Sequence, residues 1–592
     1  MSGSNLIVNN NIELTYINLN GSNTFIYDGI PYTSPVTITN TSIQPIIVTL
    51  IFYDNINNIL DYLIVGSNSI VFDGRNSPIN VEVENYGGLI QGNSGIYRNI
   101  TIENIQINAI NSGSLANGSG WIVSGFTIDS LFNGLVCNAI NCSSIGNINS
   151  GGGGIYGTGC INCYANNCYS RGNILGGSGG IFGSQCGNCI AYSCYSTGNI
   201  IDGSGGIFGM QANYNMNISD FNIVSQAINC FSTGSINTTN DYGSGGIFGY
   251  NCNFGSTRSY CDISNCYSTG SIGGVSSYGN GGIIGGNCNS SSNNGVCHID
   301  NAFSYGDIYG DINGGNGGIF GSSACYSCSA GTCFSIGDIG YGSGGIYLDG
   351  PGMLSAYSCY SIGNIGENAG GIFGGHSSIV NGMAMYCYSV GNIGKNAGGI
   401  YGPRVHNSTA NNCYSLGSLY SPDSGGIFGY NCVSSNINNC YVLGSGLIGL
   451  SDGLTHITNS VIQNGNWDDN NANMSINNNV NNIWFSCNSN TPFLLLNYNN
   501  TSGYMSFNSC PRGYKYAYVL PNTSIIKDQN MSFKLLVGYY SGYQEDTITI
   551  SPNIYGYIFN NGNNINIRVS NSIPEYVNYL FDGIKKPILE DG

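Results

Sequence analysis

Apolar and polar residues in this chain follow neither the 3.6-residue period of an amphipathic helix nor the spacing of a hairpin meander. They fall in short blocks punctuated by glycine. A Gly-Gly-Ile step recurs with its isoleucine at 155, 181, 207, 247, 283, 319, 346, 372, 400 and 427, usually completed as GGIFG or GGIYG. GSGLIG at 444–449 is a decayed further copy, which brings the array to about eleven repeats. A second block, Cys-Tyr-Ser-x-Gly-Asn-Ile, alternates with the first: CYSRGNI at 168–174, CYSTGNI at 194–200, CYSTGSI at 266–272, CYSIGNI at 359–365 and CYSVGNI at 387–393. Variants such as CFSTGSI (230–236), AFSYGDI (302–308) and CFSIGDI (333–339) keep its outline. Copies lie most often 26 residues apart, as from Ile155 to Ile181, and 36 in mid-array, as from Ile247 to Ile283. The extra residues enter between GGIFG and Cys-Tyr-Ser, so that corner is expected to be an insertion-tolerant loop.

Two short strands per repeat with no helical period predict an all-β chain. Because the repeats are alike, each strand is expected to stack on its copy one repeat later, giving a parallel β-helix, a solenoid. Right-handedness is expected from the general preference of parallel crossovers. The two-residue period of a strand puts Cys and Ser of the second block on one face and Tyr on the other. The isoleucines of both blocks are expected to stack inside. At about 4.8 Å per coil the array makes a rod on the order of 50 Å long.

Upstream, VTITNTS, VTLIFYDN, LIVGSNSIVFDG and RNITIENIQI read as further short strands, and a cap is expected over the first coil because an open coil end exposes strand edges. The chain therefore divides into 1–133, the N-terminal cap and first coils; 134–464, the tandem repeats; 465–502, a closing segment; and 503–592, a small C-terminal β domain.

Composition narrows the function classes. Charged residues are 7% of the chain, against about 25% in ordinary domains, and asparagine, serine and glycine supply the polar surface instead. The net charge of −17 argues against nucleic acid as a partner. PIIVTLIFY at 45–53 is too short to span a bilayer, so membrane insertion is not expected. The start, MSGSNLIVNN, does not read as a secretory signal, whereas 24 cysteines point to an oxidising location. External display on a virion or cell surface reconciles the two. The basic residues cluster late, from Arg512 to Lys586, which sets the C-terminal segment apart from the acidic array.

The alternation of GGIFG with Cys-Tyr-Ser-x-Gly resembles the GLUG-type repeats of bacterial surface proteins. Arrays of that kind close with a tryptophan-containing segment and a Pro-aromatic-Leu finish, matched here by Trp467, Trp484 and Thr491-Pro-Phe-Leu-Leu495. The resemblance covers roughly 134–496 and implies a right-handed, pectin-lyase-like β-helix. The asparagine-rich character and DYLIVGSNSIVFDG at 61–74 are also similar to β-helix repeat proteins of large amoeba-infecting DNA viruses.

Aligned on the repeat, the cysteines form three columns. The first opens the Cys-Tyr-Ser block, from Cys142 to Cys440. The second lies five residues earlier and the third shortly after GGIFG. The second and third come and go together except at Cys137 and Cys432, and both are empty at Ala212 and Ser225, at Ser377 and Gly382, and at Val405 and Ser408. Residues gained and lost together are expected to touch, which predicts disulfides Cys160–Cys163, Cys186–Cys189, Cys252–Cys261, Cys288–Cys297 and Cys325–Cys328. Zinc held by Cys160, Cys163, Cys186 and Cys189, two Cys-x-x-Cys pairs one coil apart, is the alternative. The first column reads as a ladder of small inward hydrophobes, with Ala302 replacing one member.

Candidates for catalysis are sparse. Asp307 and Asp338 occupy a column otherwise held by Asn147, Asn173, Asn199, Asn364 and Asn392, so they read as ladder variants and not as an acid–base pair. His298, His376, His406 and His456 sit singly in different repeats. The chain is therefore expected to be non-enzymatic and without a cofactor. The expected role is a structural rod in an outer layer or fibre, self-associating or packed on neighbouring surface proteins. Glycan-binding adhesion is the alternative, and glycan cleavage a more distant one.

Overall fold

A computed structural model describes residues 3–449 apart from short stretches, the longest at 93–99, 126–136, 214–222 and 289–295. Beyond 450 it describes backbone strands only. Strands of successive coils pair in parallel and in register: Cys137–Ile140 lies on Cys163–Asn166, and Tyr169–Arg171 on Tyr195–Ser196. The fold is the expected parallel β-helix. No helix among the described residues is long and apolar enough to cross a membrane.

Each coil has three faces where the sequence suggested two. The Cys-Tyr-Ser block builds one continuous sheet of 14 strands, from Pro78–Val81 to Val461–Gln463. The second sheet comes from the segment just before it, expected to be loop: Cys163–Asn166, Ile190–Tyr192, Ile223–Ile228, Ser259–Ser264 and their equivalents pair coil upon coil. Insertions enter ahead of these strands without breaking them. This sheet was hard to see because its inward residues are small and varied, for example Cys163 with Ala165 and Cys261 with Ile263, and such a pattern has little hydrophobic contrast.

The GGIFG block gives the third face, which continues the N-terminal sheet of Ser4–Val8, Val36–Asn40, Leu63–Val65 and Ile90–Gly92. In the repeats it pairs only through single bridges, such as Gly153 to Gly179 and Tyr156 to Phe182. The cause is a bulge in every coil. The carbonyl of Ile181 accepts both Ile155 N–H (3.1 Å) and Tyr156 N–H (2.9 Å), and that of Ile207 accepts Ile181 (3.0 Å) and Phe182 (2.9 Å). Two residues then oppose one, and both side chains turn inward. Ile181 and Phe182 are fully buried, as are their counterparts along the array. The interior is thus an aliphatic stack beside an aromatic one, the latter with ring centroids 4.3–5.2 Å apart from Tyr156 through Phe248.

The corner between the second sheet and Cys-Tyr-Ser depends on asparagine. Asn141, Asn167, Asn229, Asn265 and Asn301 have φ of 53–56°, a left-handed conformation that asparagine tolerates better than most residues. Their side chains bond from coil to coil, Asn167 to Asn141 at 2.8 Å and Asn301 to Asn265 at 2.6 Å.

A cap closes the N-terminal end. Ile12–Leu19 pairs in parallel with Ile46–Phe52 on one side and antiparallel with Ser22–Tyr27 on the other, and Ser22–Tyr27 pairs antiparallel with Ile30–Thr33. The parallel stack ends in an antiparallel ribbon, as the open-edge argument requires. Downstream, Trp484–Ser486 pairs antiparallel with Pro492–Leu494, joining two segments of the closing region. Met531–Tyr539 pairs with Gly542–Ile550, and Tyr555–Asn561 with Asn564–Ser570, both antiparallel, so the C-terminal segment is β in character.

Candidate functional sites: the thiol column and the aromatic face

The second and third cysteine columns meet at the corner between the GGIFG face and the second sheet. The Sγ atoms of Cys160, Cys163 and Cys189 lie within 4.8 Å of one another, as do those of Cys252, Cys261 and Cys297, and those of Cys288, Cys297 and Cys328. Cys186 stacks on Cys160 one coil later, with the Gly187 N–H donating to the Cys160 carbonyl at 2.8 Å, so a fourth thiol lies beside the first cluster. Cys288 and Cys297 are joined by a disulfide. Cys328 is disulfide-bonded too, and its expected partner Cys325 lies outside the described residues. Cys160, Cys163, Cys186, Cys189, Cys252 and Cys261 are free buried thiols, with Cys252 Sγ 3.0 Å from Cys288 Sγ in the next coil.

Where the columns lapse, hydrogen bonds take over. Ser225 stands in register with Cys261, receives the Cys189 N–H (3.3 Å) and donates to Asn213 Oδ1 (2.8 Å). Asn213 in turn donates to Asn253 Oδ1 (2.9 Å).

Burial pushes the Cys160 and Cys163 thiols well up. Burial acts the same way on Cys189, but hydrogen bonds from Cys160 and Cys163 outweigh it and hold that thiol well below its ordinary value. Burial pushes the Cys432 thiol up to about 12.

The first column lines the interior in a single ladder. Cys168 Sγ donates to its own strand at Asn166 O (3.4 Å) and to the previous coil at Ala139 O (3.5 Å), and Cys194, Cys230, Cys266 and Cys359 repeat the arrangement. Ala302 is buried in the same place. The column is packing.

Asp307 and Asp338 do the work of the asparagines around them. Asn147 Oδ1 receives the Asn173 N–H at 3.0 Å; likewise Asp307 receives Asp338 N–H at 3.0 Å, and Asp338 receives Asn364 N–H at 2.7 Å. His298 lies on the outer side of the second sheet against Ser329 Oγ (2.8 Å). His376 lies outside the described residues.

The outer side of the Cys-Tyr-Ser sheet carries the most distinctive surface. Its aromatic rings form one unbroken stack from Tyr169 through Tyr195, Phe231, Tyr267, Phe303, Phe334, Tyr360 and Tyr388 to Tyr414. Centroids are 4.7–5.0 Å apart. The spacing equals the coil repeat, so each ring sits over the next without strain. The neighbouring outward position changes character along the rod. It is Arg171, Thr197, Thr233 and Thr269 in the first half, then Tyr305, Ile336, Ile362, Val390 and Leu416. Accordingly Tyr169, Tyr195 and Tyr267 are half-buried, whereas Phe303, Phe334 and Tyr360 are covered by Tyr305, Ile336 and Ile362. Arg171 also lies 5.2 Å from the Tyr169 ring, within cation–π range. Tyrosine facing out was legible from the strand period; the gradient from polar to apolar along the face needed the register.

Comparisons with protein-family models, curated proteins and solved structures find no match.

Proposed function

We propose that the chain is a structural β-helical rod displayed on a virion or cell surface, where its stacked aromatic face packs against copies of itself or neighbouring surface proteins. The observation that carries this reading is the face itself: nine rings in one flat stripe, half-buried at one end and backed by aliphatic side chains at the other. Rings fixed by stacking lose little entropy on contact and offer large apolar area, as interfaces favour. The polar columns support the same reading. Asn147, Asp307 and Asp338 spend side-chain oxygens on the next coil's backbone, which ties one coil of the rod to the next. The few ionic groups suit packing too, since little charge must be desolvated.

The second reading is adhesion to glycans, favoured by the half-buried Tyr169–Tyr195–Phe231–Tyr267 segment, whose flat rings flanked by threonines suit stacking on sugar rings. Mass spectrometry of purified particles and surface fractions tests display; recovery only from a reducing cytosol would overturn it. Glycan arrays probed with the full chain and with Tyr195→Ala separate the two readings. Binding abolished by Tyr195→Ala establishes adhesion, and a blank array with concentration-dependent assembly supports the structural role.

A further inference from the structure

Three buried sulfurs converge at one corner of two successive coils with a fourth buried cysteine stacked beside them, and nothing in the proposed rod requires them there. Cys160, Cys163 and Cys189 have Sγ atoms within 4.8 Å of each other, and Cys186 stacks on Cys160 one coil later, where the Cys160 carbonyl accepts the Gly187 N–H at 2.8 Å. Backbone stacking imposes this convergence. Ile161 bridges in parallel to Gly187, which sets each Cys-x-x-Cys pair directly over the other. Tetrahedral zinc with Zn–S bonds of about 2.3 Å needs its sulfurs about 3.8 Å apart, so the thiols draw in to that spacing as the cation binds.

We propose that Cys160, Cys163, Cys186 and Cys189 form a tetrathiolate site for a thiophilic closed-shell cation, zinc, which clamps two adjacent coils near the start of the array. The donor set is all sulfur, which excludes the hard cations calcium and magnesium. Loading is a ligand exchange without redox change: Zn²⁺ and four thiols give one tetrathiolate and four protons released to solvent. Repeats where the columns lapse, such as Ala212 with Ser225, carry the hydrogen-bond relay in place of a cation. The proposal sets this corner apart from that of Cys288 and Cys297, whose sulfurs are spent on each other.

The test uses the full chain made in zinc-supplemented cells and purified without chelator. One zinc per chain is expected by elemental analysis, with X-ray absorption reporting four sulfur neighbours at about 2.3 Å. Cys160→Ser with Cys189→Ser should remove the zinc, while Cys168→Ser, in the packing column of the same coil, should retain it. Absorption on the unaltered chain keeps the test decisive even where a variant folds poorly. Oxygen or nitrogen neighbours, no zinc, or non-reducing peptide maps with Cys160–Cys163 and Cys186–Cys189 cross-links would each overturn the proposal.

Discussion

Ser170 and Gly154 face each other across the interior of one coil so closely that a methyl group on Gly154 would stand 2.8 Å from Ser170 Cβ and 2.0 Å from the carbonyl oxygen of Gly180. Gly180 meets Ser196 in the same way, Gly206 meets Ser232, and Gly246 meets Ser268, with distances to the serine Cβ of 2.9, 2.9 and 3.0 Å. The Gly-Gly of one block and the Ser of the other are two halves of one contact, which is why both blocks keep their form through the array. Gly206→Ala is therefore expected to destabilise the chain by about 2 kcal/mol or more, since the added carbon meets backbone that cannot give way. Chemical denaturation checks it.

Ser232→Ala should do the opposite. The hydroxyls of Ser170, Ser196, Ser232, Ser268, Ser304, Ser335 and Ser361 are buried without a hydrogen-bond partner, while Ser389 and Ser415 bond to each other at 2.9 Å. Serine is there for its small Cβ against glycine, and its oxygen costs desolvation. Removing that oxygen is expected to leave stability unchanged or raise it by up to about 1 kcal/mol. A loss of stability in Ser232→Ala, measured by the same denaturation, would refute the packing argument.

Along the outer stack the cost of losing a ring should follow its cover. Phe334 is fully buried beneath Ile336 and its neighbours, so Phe334→Ala is expected to cost about 3 kcal/mol. Tyr195, half-buried and flanked by Thr197, should cost less than half of that while weakening assembly or glycan binding. Thermal melts beside sedimentation separate stability from association. Equal stability losses at the two positions would mean that the first half of the face is covered in solution.

The parallel β-helix was legible because glycine, isoleucine and Cys-Tyr-Ser recur at fixed positions, and ladder folds make sequence period equal structural period. The second sheet was not, because Cys163-Tyr-Ala-Asn166 and Ser259–Ser264 share alternation but few residue types. The inward turn of both Ile and Phe in GGIFG was also hidden, since it rests on a shared carbonyl and not on side-chain chemistry. The cysteine columns were legible as neighbours from their joint gaps at Ala212 and Ser225. Whether neighbours bond within a coil or across coils is a matter of sulfur positions that spacing alone leaves open.

Cys288 and Cys297 supply the cross-link to look for first. Non-reducing peptide mapping should recover them as one disulfide, and Cys297→Ser should lower stability by about 2–3 kcal/mol for a loop of this length. Cys142, Cys168 and Cys194, buried in the packing column, should resist alkylation until the chain is unfolded.

The cap holds a buried carboxyl, Asp61, whose titration should be felt by the fold. Asp61 accepts from Tyr16 Oη (2.7 Å) and from Asn23 Nδ2, and its carbonyl accepts from Tyr86 Oη at 2.9 Å. Burial pushes its carboxyl above the ordinary value, and the hydrogen bonds from Tyr16 and Asn23 only partly offset this. A carboxyl with a raised folded-state pKa binds its proton more tightly folded than unfolded. Its contribution is therefore complete below about pH 4, the unfolded value, and is lost as pH rises through the folded one. Asp61→Asn holds a neutral group of the same shape there and cannot lose that contribution. The difference in melting temperature between Asp61→Asn and the unaltered chain should move in favour of the variant from pH 4 to pH 7. Tyr16→Phe, which removes a donor that favours the ionised form, should steepen the fall of the otherwise unaltered chain over the same range. A difference that stays constant with pH would mean that Asp61 titrates alike folded and unfolded, and that solvent reaches it through the cap.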